Sequence, residues 1–200
     1  MVIMIENREK TERKKLLIHV CCAPCLIAPL KHMQQEDEFD IMGFWFNPNI
    51  HPYQENQRRL QTLQEYASSI DLKLIIKDEY ELEGFLRQVA FREGDRCRIC
   101  YYMRLNYVAI VAAKGGFDYF TTTLLYSKFQ KHELIREIGE ACAKEHGIKF
   151  FYRDFREYWK EGIEMSKKEE MYRQQYCGCI YSEKDRYLST PKKRSSDEKH

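Results

Sequence analysis

Short apolar runs alternate along this chain with longer stretches whose apolar residues recur every three or four positions. The runs are 15–20 (KLLIHV), 41–46 (IMGFWF), 72–76, 119–123 and 148–152. Each has the length of a buried strand and is bounded by turn residues or charge. Between them the spacing predicts helices over 26–35, 53–69, 82–91, 101–114, 132–145 and 162–175. In the second of these, Leu60, Leu63, Tyr66 and Ala67 share one face. Pro24 suits a first helical turn, Asn47-Pro48-Asn49 closes the second strand, and Gly115-Gly116 and Gly147 stop helices. Strand and helix in alternation predict an α/β fold: a doubly wound parallel sheet with helices on both faces. In such folds ligands bind outside the carboxyl ends of the strands. The first predicted strand runs straight into Cys21-Cys22-Ala23-Pro24-Cys25.

Length and charge narrow this picture. Two hundred residues suit one domain, expected over 15–185, with an extension at 1–14 and a polar, disordered tail at 186–200. Lys and Arg number 33 against 31 Asp and Glu, net +2, which excludes a uniformly basic nucleic-acid binder but allows a local patch. No run approaches the length of a membrane span or resembles a signal peptide, so a cytoplasmic location is expected. The Walker A and G-x-G-x-x-G loops are both missing, which argues against a standard nucleotide site. His19 lies inside a strand and reads as a core histidine, whereas His51 follows a strand and is placed to face a ligand. Arg58, Arg59, Arg87, Arg92, Arg96, Arg98, Lys128, Lys131 and Arg173 interleave with aromatic residues, a composition that suits RNA contact as well as an ordinary solvated face.

The feature foreign to an ordinary cytosolic domain is eight cysteines. Seven fall in three tight clusters: Cys21, Cys22 and Cys25; Cys97 and Cys100; Cys177 and Cys179. Cys142 stands alone at helical spacing from Ile135 and Ile138 and reads as a buried core thiol. A reducing compartment disfavours disulfides. Cys22 and Cys25 alone suit a thioredoxin-type dithiol at a helix start, but that leaves the other clusters without a role. One zinc site needs only four thiolates. Seven clustered thiols exceed that number and suit an iron–sulfur cluster with a second metal or with free reactive thiols.

Several segments together resemble one family. These are His19-Val20-Cys21-Cys22-Ala23-Pro24-Cys25, Phe46-Asn47-Pro48-Asn49-Ile50-His51-Pro52, Arg96-Cys97-Arg98-Ile99-Cys100-Tyr101, Thr121-Thr122-Thr123-Leu124 with Ser127, and Tyr172-Arg173-Gln174-Gln175-Tyr176-Cys177-Gly178-Cys179. In order and content they are similar to the epoxyqueuosine reductases of the QueH type, from about residue 16 to 182. The resemblance implies conversion of epoxyqueuosine to queuosine at the wobble position of tRNA, without cobalamin. It implies a 4Fe–4S cluster with a second iron nearby, held by Cys21, Cys22, Cys25, Cys97, Cys100, Cys177 and Cys179, and an external electron donor. It also implies a fold like that of the PP-loop enzymes, whose phosphate loop is replaced here by CCAPC. Removing the epoxide oxygen leaves an alkene and consumes two electrons and two protons, so Tyr101, Tyr172 and Tyr176 are expected proton donors. Asp95 or Asp154 are expected as further candidates to complete the second metal site.

Overall fold

The computed structural model describes residues 13–188. Five strands form one all-parallel sheet among them: β1 (Lys14–His19), β2 (Phe39–Trp45), β3 (Leu74–Ile76), β4 (Tyr119–Thr122) and β5 (Lys149–Phe150). Their order is β3-β2-β1-β4-β5, so the α/β doubly wound expectation holds. The helices are α1 (Ala23–Gln35), α2 (Tyr53–Ser69), α3 (Leu82–Val89), α4 (Arg96–Lys114), α5 (His132–His146), α6 (Trp159–Lys168) and α7 (Ile180–Leu188). Right-handed crossovers place α1 and α2 on one face and α4 and α5 on the other. α6 returns to pack on α1, and α3 packs on α4.

β1 is central, and its apolar run follows from that place. Leu16, Leu17 and Ile18 are fully buried, because helices cover both sides of the strand. Its last residue, His19, ties three strand ends together. Its Nδ1 lies 2.9 Å from Thr122 Oγ1, and its Nε2 lies 3.2 Å from the Phe46 carbonyl. Burial, with Arg104 second, pulls its pKa down to about 4, so it is a neutral core histidine as the sequence suggests.

The structure corrects the reading in three places. α4 begins at Arg96, so Cys97 and Cys100 lie in its first turn rather than ahead of it. α7 was not predicted. The helix expected over 162–175 ends at Lys168, and Glu170 turns the chain with φ 51°. The segment beyond has helix-forming composition, but tertiary partners hold its side chains: Tyr172 donates to Glu55 and Gln174 to Cys22 Sγ. The carbonyls of Tyr176 and Cys177 accept from Arg59 at 3.0 and 2.8 Å. Tertiary contact has overridden propensity. The expectations for residues 1–12 and 189–200 lie outside the described residues.

α5 meets the sheet edge closely at Gly139, where an added side chain would have to displace the Phe150 ring. A Cβ on Gly139 would stand 2.5 Å from the Phe150 ring. Gly139→Val should therefore cost roughly 1–3 kcal/mol through overpacking, read as a lower urea midpoint at unchanged m-value.

Candidate functional site

In this strand order the topological switch point lies between β1 and β4, and the chain places its first cysteines there. Cys21 follows the end of β1. Its backbone N–H donates to Thr123 Oγ1 at 3.0 Å, and the Thr123 hydroxyl lies 3.2 Å from Cys21 Sγ. Cys22 caps α1 with extended backbone, and Pro24 occupies the first turn. That turn brings Cys25 back to Cys22, with sulfurs 2.7 Å apart, while Cys21 Sγ lies 3.8 Å from Cys22 Sγ. All three thiols are buried and lie within 4.8 Å of one another. Hydrogen bonds from Cys22, then Cys25, hold Cys21 well below the usual thiol range. Burial first, then Cys21, pushes Cys22 well above it. Hydrogen bonding to Cys21, then to Cys22, raises Cys25. The trio thus sits buried at the start of a helix, a place that favours thiolate over thiol.

The other two clusters lie within electrostatic reach of each other, while among the described residues only the first trio has its sulfurs close enough to share one ion. Cys97 and Cys100 share a face of the first turn of α4, with Cys100 buried and Cys97 half-buried. Cys100 is within electrostatic reach of Arg104, Cys177 and Cys179. Burial pushes its thiol up to about 12. Arg104 is buried and makes no ion pair among the described residues; its Nε donates to Asn49 Oδ1 at 2.9 Å. Asn49 Nδ2 and His51 Nε2 are buried beside it without hydrogen-bond partners. A buried guanidinium facing thiols instead of a carboxylate calls for negative charge on the sulfurs.

Cys177 and Cys179 are held by a strap that the sequence reading missed. Arg59 is buried on α2 and pairs with Glu55 one turn earlier at 2.7 Å. Its two terminal nitrogens grip the carbonyls of Tyr176 and Cys177. The loop after β2 adds three bonds: His51 N–H to the Gly178 carbonyl at 2.8 Å, Ile180 N–H to His51 Nδ1 at 3.3 Å, and Tyr176 hydroxyl to the His51 carbonyl. Gly178 has φ +153°, and a Cβ there would meet Ile50 at 3.1 Å, so the residue between the two cysteines must be glycine. His51, expected to face a ligand, instead anchors this segment and is almost fully buried.

A cavity of about 690 Å³ joins two of the three clusters, through Cys21, Cys25 and Cys177. Cys21 and Cys25 form one wall, Cys177 and Tyr176 another, and Tyr126, Phe129 and Trp159 an aromatic side. Two glutamines brace the sulfurs. Gln174 Nε2 donates to Cys22 Sγ at 3.0 Å. Gln130 Nε2 donates to Cys177 Sγ at 3.0 Å while its Oε1 accepts from the Tyr101 hydroxyl at 2.7 Å. Tyr101 is buried beneath Gln130, and burial raises its phenol. The Tyr172 hydroxyl donates to Glu55, and burial pushes it up to about 12. Of the three tyrosines, Tyr176 lines the cavity. Asp154 is bonded to Arg156, and Asp95 caps α4 two residues before Cys97. Cys142 is buried in the core away from the clusters, where burial pushes it up to about 11.

Comparison with known proteins decides the family. Residues 16–185 match the family model described as Epoxyqueuosine reductase QueH. The chain belongs to the QueH family of epoxyqueuosine reductases. A QueH of Dehalococcoides mccartyi is 39% identical over 173 residues, covering 86% of this chain and 94% of that protein. QueH of Streptococcus pyogenes is 34% identical over 88% of this chain and 73% of its own length. QueH of Thermotoga maritima is 34% identical over 84% of this chain and 89% of its own length. Within this QueH chain, no described helix is long and apolar enough to cross a membrane.

The strap generates a prediction. Arg59→Met leaves Glu55 buried without its partner and frees two carbonyls. It should cost about 3–5 kcal/mol in urea unfolding and open residues 171–179 to limited proteolysis, whereas wild type should resist cleavage there.

Proposed function

We propose that this chain reduces epoxyqueuosine in tRNA to queuosine, releasing the epoxide oxygen as water with two electrons and two protons. The observation that carries the reading is the cavity: about 690 Å³, the size for one nucleoside, with thiols of two clusters in its walls. The family membership supports the same substrate.

The donor set fits an iron–sulfur centre. It consists of thiols alone, and the buried Arg104 beside Cys100 and Cys177 lacks a carboxylate, which suits an anionic group better than a neutral or cationic one. Cys21, Cys22 and Cys25 would hold one part of it. Cys97, Cys100, Cys177 and Cys179 would hold the other, as a 4Fe–4S cluster and a neighbouring iron require. When bound, such a group supplies electrons singly from an external donor.

The chain's own residues do the rest. Gln130 and Gln174 orient sulfurs through their amide N–H groups. Tyr126 and Trp159 form an apolar side that excludes water from the base. Tyr176 is the one of the three tyrosines that lines the cavity, which supports giving it the proton transfer once its hydroxyl leaves the His51 carbonyl. Tyr101 connects to the same wall through Gln130. Tyr172 holds Glu55, and through it the strap, in position.

The close approach of Cys22 and Cys25 also suits a thiol–disulfide oxidoreductase, and the basic residues suit a zinc-stabilised RNA-binding module. One assay separates the three. In an anaerobic single turnover on epoxyqueuosine tRNA with a strong chemical reductant, wild type should form queuosine. Cys97→Ser, Cys100→Ser, Cys177→Ser and Cys179→Ser should each abolish the product, and Cys142→Ala should keep it. Full turnover in metal-stripped protein would establish the dithiol reading. Tight tRNA binding with no product would establish the binding module.

A further inference from the structure

On the proposed function the cavity takes one nucleoside, so the nucleotides flanking it would lie on the rim. One residue on that rim is oddly placed for a soluble protein. Phe129 lines the cavity mouth yet is 85% exposed. It is mounted rigidly. Its N–H donates to Ser127 Oγ at 3.2 Å, and the next residue's N–H donates to the Ser127 carbonyl at 3.3 Å. Its ring meets Trp159 edge to face at 5.6 Å, and Trp159 leans on Tyr126 at 5.2 Å. The adjacent Gln130 is fixed between Tyr101 and Cys177. The exposed ring is therefore held in register with a cavity sulfur.

Its surroundings are cationic. Of the basic residues noted in the sequence, Arg59 is buried in the strap, Arg96 pairs with Asp185, and Arg98 pairs with Glu137. Lys128 and Lys131, which flank Phe129, and Arg173 on the cavity wall form no ion pair among the described residues. A fixed exposed aromatic ring between unpaired cations is the arrangement that takes single-stranded nucleic acid, by base stacking and phosphate contact. Chemistry on a base also requires that base to leave its stack, which uncovers the face of its neighbour.

We propose that Phe129 is the platform on which the base next to the reacting nucleotide stacks, with Lys128, Lys131 and Arg173 receiving the flanking phosphates. The proposal deepens the reading above and rests on it for the identity of the reacting nucleotide. It assigns Phe129 a positioning role in RNA binding.

The test compares Phe129→Leu, which keeps apolar bulk, with Phe129→Tyr, which keeps the aromatic face. Binding of an anticodon stem–loop RNA is measured by fluorescence anisotropy on the full, metal-loaded chain. Phe129→Leu should weaken binding about 5- to 150-fold, the range for losing one base–aromatic stack, and raise KM in the turnover assay. Phe129→Tyr should bind within about threefold of wild type. Replacing Lys128 and Lys131 together by Ala should flatten the dependence of log affinity on log salt by roughly 1.4 units. Wild-type affinity in Phe129→Leu would overturn the proposal. So would normal RNA binding in that variant combined with loss of reduction by a protein donor alone, since the rim would then be the donor's docking face. If wild type binds the RNA but never reduces it, the functional reading fails, and the binding comparison still decides the role of Phe129.

Discussion

One buried ion pair decides whether this protein has a complete site. Arg59 and Glu55 lie one turn apart on α2, nearly sealed from water. A pair in that position contributes little to stability by itself, because desolvation consumes most of the attraction. Its use lies in what the guanidinium does with its remaining donors. They hold the backbone of Tyr176 and Cys177, and Glu55 turns its second oxygen to Tyr172. A segment without regular structure is thereby fixed at both ends. Without the pair, two of the seven clustered cysteines would have no defined place against the sheet.

The electrostatics of the thiols follow from the same layout. Two positive features face the cysteines: the start of α1 at the first trio and the buried Arg104 beside Cys100 and Cys177. Neither has a carboxylate to answer it among the described residues. Burial pushes most of these thiols toward the protonated form, whereas the local positive charge favours the thiolate. A metal group bound there would resolve that tension by taking the protons' place, which is the usual condition for thiolate ligation. The neutral His19 at the base of the site adds rigidity without adding charge.

The fold was legible from hydrophobic spacing because β1 is covered on both faces, which leaves a continuous apolar run. The clusters were legible because C-x-x-C and C-x-C spacings are written in local sequence. What stayed hidden depends on distant partners. Nothing local marks Gln130 or Gln174, whose amides reach sulfurs 47 and 152 positions away. Glu55 and Arg59 do carry an i, i+4 signal, but it reads as a surface pair, and only the fold shows it buried. The end of the helix expected over 162–175 misled for the same reason: its composition favours helix, while Tyr172 and Gln174 are held by Glu55 and Cys22 from other elements. Arg59, which in the sequence suits RNA contact or an ordinary solvated face, is buried and holds the strap instead.

The central claim is that these cysteines form a single metal centre with an opening for a nucleoside. Iron and acid-labile sulfide analysis of the anaerobically purified chain, read alongside its Mössbauer spectrum, tests this most directly. The account predicts a cluster signal plus a distinct iron site, with iron exceeding sulfide by about one per chain. Stoichiometric zinc with no sulfide would contradict it.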